Sequence, residues 1–289
     1  LPDVDSWVIV DASGRVHLRN VVHKSATTAK EAGYFAFPAA VQAASSRAFV
    51  DVPFGFVEAE RSQLAGACRD WYACSTHAAI ADAEHCVTVA MPHSPLVTFG
   101  DIFRGRWLRK VEPADVVFAY AFNNYWDTNY CARQGGPLVY AFSLELAPGS
   151  YDPIRAARFG QECALAAPDP ARARWQGSVL DGSEFALVDA PSEAILSPPI
   201  SVSGAEVFGI ERDGEKLSIH LLNLSAQPTH AELRVPWRRS VRAFRTNLVG
   251  ERPQSVPIRH GGSLSIEIGP YAPATVHITL GASPSRPSP

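Results

Sequence analysis

The chain has 289 residues, 46% of them hydrophobic and 19% charged, and its net charge is −3. This is the make-up of a globular protein rather than a disordered one. Near-neutrality removes the electrostatic footprint of a nucleic-acid binder or an anionic-membrane binder. No apolar run approaches the ~20 residues that a bilayer-spanning helix needs, so neither nucleic acid nor a membrane is an expected partner.

In chain order, the sequence reads as short strands and turns with little helix. Trp7–Val10 and Arg15–Leu18 flank a "DASG" turn in which Gly14 supplies positive φ. Tyr34–Phe37 is an aromatic run stopped by Pro38, and Ala48–Val52 is strand-like on either side of Asp51. His77–Ala81 and Cys86–Ala90 form strands around "DAEH". The most hydrophobic runs, Val116–Phe122 and Leu138–Leu146, are expected to be central strands. One helix is expected, with Asp152 as N-cap, Pro153 at its first position and Ile154–Cys163 following, broken only by Gly160. Further hairpins are expected at "DGS" (Asp181) and at Asp213–Gly214. More strands follow in Leu217–Ser225, Ala231–Val235 and Ala274–Leu280.

Two prolines in "ILSPPISV" (Ile195 to Val202) mark a boundary. The expected organisation is a large β domain over 1–197, a small β-sandwich over 198–282 and a disordered tail over 283–289.

Met91 is the single methionine, so the chain is expected to be processed or to be a piece of something longer. No charged-then-apolar leader opens it, so no secretory signal is expected. Only Lys24, Lys30, Lys110 and Lys216 among 26 basic residues are lysines. That bias points to a GC-rich bacterial source, and a cytoplasmic setting is expected. Cys68, Cys74, Cys86, Cys131 and Cys163 are odd in number and contain no C-x-x-C pair, so they are expected to be small buried hydrophobes rather than disulfides or zinc ligands.

Signatures of catalysis are missing. There is no G-x-S-x-G elbow, no G-x-G-x-x-G and no Walker sequence. His77, His85 and His93 recur every eight residues, which suits no helix face, and they are expected to be surface or hydrogen-bonded histidines. The pairs Glu58/Glu60 and Asp82/Glu84 are expected to be solvated surface. Asn223-Leu224-Ser225 is a formal glycosylation sequon in or beside a strand, expected to go unused.

The stretch "FNNYWDTNYCARQGG" (Phe122 to Gly136) is different. Asn and Gln present a donor and an acceptor on one planar group, which matches sugar hydroxyls. Tyr and Trp offer an apolar face and a polar edge. Asn123, Asn124, Trp126, Asp127, Asn129, Tyr130 and Gln134 are therefore candidate carbohydrate-binding residues. The competing reading is structural: asparagines tying down a loop and aromatics plugging the end of a sandwich.

Three strings, in order, resemble the C-terminal half of glycoside hydrolase family 38, the α-mannosidases. They are "GYFAFPAAV" (Gly33 to Val41), "PHSPLVTFGDIFRGRW" (Pro92 to Trp107) and "AFNNYWDTNYCARQGG" (Ala121 to Gly136). "LSIHLLNLSAQPTHAEL" is similar to that family's terminal sandwich. The resemblance implies an all-β chain: a galactose-mutarotase-like supersandwich followed by a small β-sandwich. It also implies a missing N-terminal catalytic domain that carries the zinc ligands and the Asp nucleophile. No catalytic or metal-binding residue is carried over to this chain, and no cofactor is expected in it. The implied partner is an α-mannoside or related glycan. Where relatives often have Arg, this chain has His220, which either reaches an active site or sits on a strand surface. Without a catalytic domain, the alternatives are a free-standing carbohydrate-binding module or a structural interaction domain.

Overall fold

A computed structural model describes residues 2–102, 107–124, 133–166, 200–235 and 240–280. Among these the structure is all-β with one α-helix. The chain divides into two compact units, Leu1–Pro170 and Ala171–Pro289. The boundary expected at 197/198, the "DGS" turn and the tail over 283–289 all lie outside the described residues.

The first unit contains β1 (Asp3–Val10), β2 (Val16–Lys24), β3 (Ala32–Pro38), β4 (Arg47–Val52), β5 (Gly55–Glu58) and β6 (Tyr72–Ala73). It continues with β7 (His77–Ala81), β8 (His85–Ala90), β9 (Leu96–Phe99), β10 (Val116–Asn123) and β11 (Gly136–Pro148), then α1 (Pro153–Ala166). Seven strands form one antiparallel sheet in the order β1-β2-β11-β8-β7-β4-β5, and four form another in the order β3-β10-β9-β6. The two expected central strands are central, but in different sheets: β11 lies between β2 and β8, and β10 between β3 and β9.

The sheets face each other across one core. Val22, Val50, Ala78, Ile80, Val89 and Phe142 come from the larger sheet; Phe37, Val97, Phe99, Val117 and Ala119 come from the smaller. Strand periodicity explains which side chains enter. In β3, Phe35 and Phe37 turn inward against Phe142, each with ring centroids 4.9 Å away, while Tyr34 and Ala36 turn outward. The β1–β2 hairpin closes as its turn chemistry requires. The Asp11 carboxylate accepts from Ser13 N at 2.8 Å and Arg15 N at 3.0 Å. β1 is an edge strand and most of its side chains are exposed.

Helix α1 starts as expected: Asp152 Oδ1 accepts from Ile154 N at 2.9 Å and Arg155 N at 3.2 Å. It buries Ala156 and Phe159 and packs beside β7 and β8. The lone interior glycine has a packing reason. A Cβ at Gly160 would lie 2.3 Å from Thr76 Oγ1 and 2.8 Å from His77 Nδ1, so only glycine lets the helix come this close.

The second unit contains β12 (Ser201–Ser203), β13 (Glu206–Asp213), β14 (Lys216–Leu222), β15 (Thr229–Arg234), β16 (Ser240–Thr246), β17 (Gln254–Val256), β18 (Ser263–Ile268) and β19 (Pro273–Leu280). These form a three-stranded sheet, β12-β15-β18, and a five-stranded sheet, β13-β14-β19-β16-β17. Their shared core holds Leu217, Ile219, Leu221, Val276 and Ile278 from one sheet and Ala231, Leu233, Leu264 and Ile268 from the other. Asn223 is 0% exposed. Its Nδ2 donates to the carbonyls of Gln227 at 2.8 Å and Gly269 at 2.8 Å, and its Oδ1 accepts from Ser225 N at 2.8 Å. In the folded chain this sequon has no free amide.

Candidate functional site

The structure describes both ends of the stretch Phe122–Gly136. Trp126, Asp127, Asn129 and Tyr130 lie outside the described residues. Asn123 ends β10, half-buried, paired with Ala32. Asn124 is 2% exposed: its N–H donates to Glu31 O at 2.7 Å, and its Nδ2 donates to Thr27 O at 2.9 Å. Gln134 is exposed, and its main-chain carbonyl accepts from Lys24 Nζ at 2.9 Å.

Lys24 joins these parts, and sequence reading passed it over. Its side chain is 3% exposed and bridges to Glu31 Oε1 at 2.7 Å. The ammonium also lies 5.4 Å from the Phe122 ring centroid. A buried ammonium is costly unless it is paired and hydrogen-bonded. Here one cation satisfies that demand by holding the loop after β2 against the start of β11. Gly135 completes the seam: a Cβ there would come within 2.7 Å of Ala26 N. The one available signal was a lysine closing the apolar run "VVHK".

Three residues before Asn123, on the same strand, lies a surface that no single segment of sequence displays. Tyr34 and Tyr120 are register partners on β3 and β10, stacked at 4.4 Å with planes 5° apart. Trp71 continues the row at 6.3 Å and 17° from Tyr120, and Trp107 meets Trp71 edge-on at 6.4 Å. Phe118 packs edge-on against Tyr34 at 6.4 Å. Trp107 is 75% exposed. The result is an aromatic ledge on the outward face of the four-stranded sheet, in which Tyr34, Tyr120 and Trp71 stack face to face and Trp71 Nε1 is buried. Tyr34 and Trp107 belong to two of the three strings that carry the family resemblance, and Tyr120 directly precedes the third.

The carboxylates Glu58, Glu60 and Asp82 hold local structure. Glu58 accepts from Arg47 Nε at 2.7 Å, and Glu60 from Arg69 Nε at 2.8 Å. Asp82 caps the β7–β8 turn by accepting from Glu84 N and His85 N, both at 2.7 Å, so its carboxyl is held below the usual range by backbone donors from Gln42, His85 and Glu84. Glu58 and Asp82 are thus buried and bonded rather than solvated surface, because each has found local donors.

His77 is 1% exposed. Thr76 Oγ1 donates to Asp51 at 2.8 Å, so it accepts from His77 Nδ1–H, and Nε2 faces the Tyr151 hydroxyl at 3.3 Å. Burial pushes the His77 pKa down and the Tyr151 pKa up. His93 Nδ1 accepts from Ala141 N at 3.2 Å, and His85 is exposed. His220 lies on the outward face of the five-stranded sheet, bonded to Thr275. Among the described residues, no group of three His, Cys, Asp or Glu gathers closely enough to hold a metal ion. Cys74 and Cys86 are buried, Cys163 is half-buried and Cys68 is exposed. Cys68 therefore departs from the expectation of buried thiols because it sits in the connection before β6 rather than in a strand.

No family model and no curated protein matches the sequence. In fold the chain is similar to the crystal structure of an alpha-mannosidase from Enterococcus faecalis V583, with a TM-score of 0.58 and 13% sequence identity. The likeness covers 95% of this chain and 28% of that one. It is a likeness of architecture, running through almost the whole chain.

Proposed function

We propose that this chain is the β-rich part of a glycoside hydrolase of the family 38, α-mannosidase kind. In that role it braces a separate catalytic domain and forms one wall of a sugar cleft. The observation that carries this reading is the fold likeness to an alpha-mannosidase over 95% of the chain. The three sequence strings in family order support it. The activity implied is zinc-assisted, retaining hydrolysis of terminal α-mannosides. Zinc and nucleophile belong to the catalytic domain; this chain supplies scaffold and sugar contacts.

In this reading Asn123, Trp126, Asp127, Asn129, Tyr130 and Gln134 face the cleft, and the ledge of Tyr34, Tyr120, Trp71 and Trp107 extends the same wall. Asn124 has a different task, because its amide is already spent on Thr27 and Glu31.

The test uses the complete coding chain. Hydrolysis of p-nitrophenyl α-mannoside should follow zinc loading. Trp126→Ala should raise KM severalfold with little change in kcat, whereas Asn124→Ala should chiefly lower thermal stability, by about 1–3 kcal/mol for the lost buried bonds. A complete chain that turns over no α-mannoside would overturn the reading. Trp126→Ala with unaltered KM would remove the loop from the cleft.

A further inference from the structure

The outward face of the five-stranded sheet in the second unit carries a trough of about 530 Å³. Its floor is Ser218 and His220 of β14, His277 and Thr279 of β19, and Thr246 of β16. Alternation along the strands sends Leu217, Ile219, Val276 and Ile278 into the core and these polar side chains the other way. One wall is apolar: Phe244, Leu248, Val249 and Pro253. That wall is fixed, because Asn247 folds the chain after β16 onto itself. Asn247 Oδ1 accepts from Glu251 N at 2.8 Å, and its carbonyl accepts from Gly250 N at 3.1 Å.

The hydrogens of Thr246, His277 and Ser218 can be placed in turn. Thr246 Oγ1 has a single proton, which it donates to Asn247 O at 2.9 Å. At 3.1 Å from His277 Nε2 it must therefore accept, so Nε2 carries the imidazole hydrogen. His277 Nδ1 is then bare and accepts from Ser218 Oγ–H at 2.8 Å. Burial, Lys216 and His220 together hold the His277 pKa below its ordinary value, which keeps this arrangement neutral. The Ser218 and Thr246 hydroxyls have thus spent their protons within the protein. The Glu211 carboxylate adds acceptors at the rim, and Lys216 is the facing cation.

Ser218, Thr246 and Glu211 thus offer acceptors to O–H donors. Set against an apolar wall, they match a molecule with hydroxyls on one side and C–H groups on the other. The volume falls within the range of small-molecule sites.

We propose that this trough is a binding site for a neutral carbohydrate of one or two pyranose rings, separate from the Phe122–Gly136 stretch. The hydroxyls donate to Ser218, Thr246 and Glu211, and the ring's C–H face lies on Phe244, Leu248 and Val249. The site rests on the second unit alone and does not need the α-mannosidase reading to hold.

The test is calorimetric titration of the 289-residue chain with methyl α-mannoside and with mannobiose, alongside NMR of the imidazole protons. Inorganic phosphate serves as the anionic comparison. Both sugars should bind and shift the His277 and His220 resonances, and phosphate should not. Ser218→Ala should weaken binding about tenfold, the loss of one buried hydrogen bond. Val249→Glu, at a site 76% exposed and outside the polar network, should weaken it similarly with the fold intact. No imidazole shift with either sugar would overturn the proposal. So would phosphate binding more tightly than sugar, or sugar binding abolished by Trp107→Ala yet unchanged by both trough variants. The hydrolysis assay on the complete chain is independent of all these outcomes.

Discussion

Replacing Gly160 by alanine separates two physical effects of opposite sign. Within an exposed helix the change stabilises by about 1 kcal/mol, because glycine gives up more backbone freedom on folding. At this position the new methyl would lie 2.3 Å from Thr76 Oγ1, 2.8 Å from His77 Nδ1 and 3.1 Å from Thr76 Cβ. Thr76 cannot simply rotate away: its hydroxyl donates to Asp51 Oδ2 at 2.8 Å, and Asp51 also accepts from the backbone N–H of Ser75, Thr76 and His77. Moving it forfeits a charge-assisted hydrogen bond worth about 1.5–3 kcal/mol, and overpacking adds about 1–3 kcal/mol. The expected net is therefore a loss of about 1.5–5 kcal/mol despite the better helix former. In a unit of this size that lowers Tm by roughly 3–20 °C. The assay is thermal unfolding followed by tryptophan fluorescence; four of the six tryptophans, Trp7, Trp71, Trp107 and Trp126, fall within the first unit's sequence. Combining Gly160→Ala with Thr76→Ala should cost less than the sum of the two single changes, since the shortest clash is gone. A Gly160→Ala protein as stable as the parent, or more so, would refute the packing argument.

Acidification should destabilise the first unit through His77. Burial lowers its folded pKa below 6.5, so between that value and the folded pKa the unfolded chain binds more protons than the native one. The contribution is complete above about pH 6.5 and is lost as pH falls, at up to about 1.4 kcal/mol per pH unit. Urea midpoints at pH 7.5 and 5.5 should differ less in His77→Gln than in the parent; equal slopes would contradict the assignment. Asn223→Asp should be among the most damaging changes in the second unit, costing about 3 kcal/mol or more, because it points a carboxylate at the carbonyls of Gln227 and Gly269. Equilibrium denaturation of the second unit checks it, and an unshifted midpoint would show that Asn223 is not the tie it looks to be.

The sequence made local features legible and left distant pairings hidden. The "DASG" turn, the Asp152-Pro153 helix start and the Asp213–Gly214 hairpin each depend on residues within a few positions of one another, and each is formed. The aromatic run Tyr34–Phe37 announced a strand, but not which of its rings would meet water. The ledge joins Tyr34, Trp71, Trp107 and Tyr120, whose nearness follows only from the pairing of β3 with β10 and of β6 with β9. Lys24 and the trough floor were hidden for the same reason. Lys24 is unremarkable until the chain returns at Gln134, and Ser218 and His277 become neighbours only once β14 and β19 are in register. The asparagines of the candidate stretch were read as a group because they are adjacent. The structure turns Asn124 inward, so proximity in sequence is no sign of shared duty.

Strand β11 pairs with β2 along one side and β8 along the other, from Gly136 opposite Lys24 to Pro148 opposite His85. Among the described residues it is the only bridge between the N-terminal hairpin and the remaining strands of that sheet. During synthesis about 110 residues therefore separate the end of β2 from its partner, an interval of roughly 5–20 s at ribosomal rates of about 5–20 residues per second. Through that interval the hairpin has no sheet to join, and its apolar face stays in water. β4, β5, β7 and β8 lie upstream of Gly136 and pair with one another, but the hairpin joins their sheet only when β11 arrives. Chaperone dependence and aggregation losses should accordingly concentrate in nascent chains that stop short of Gly136.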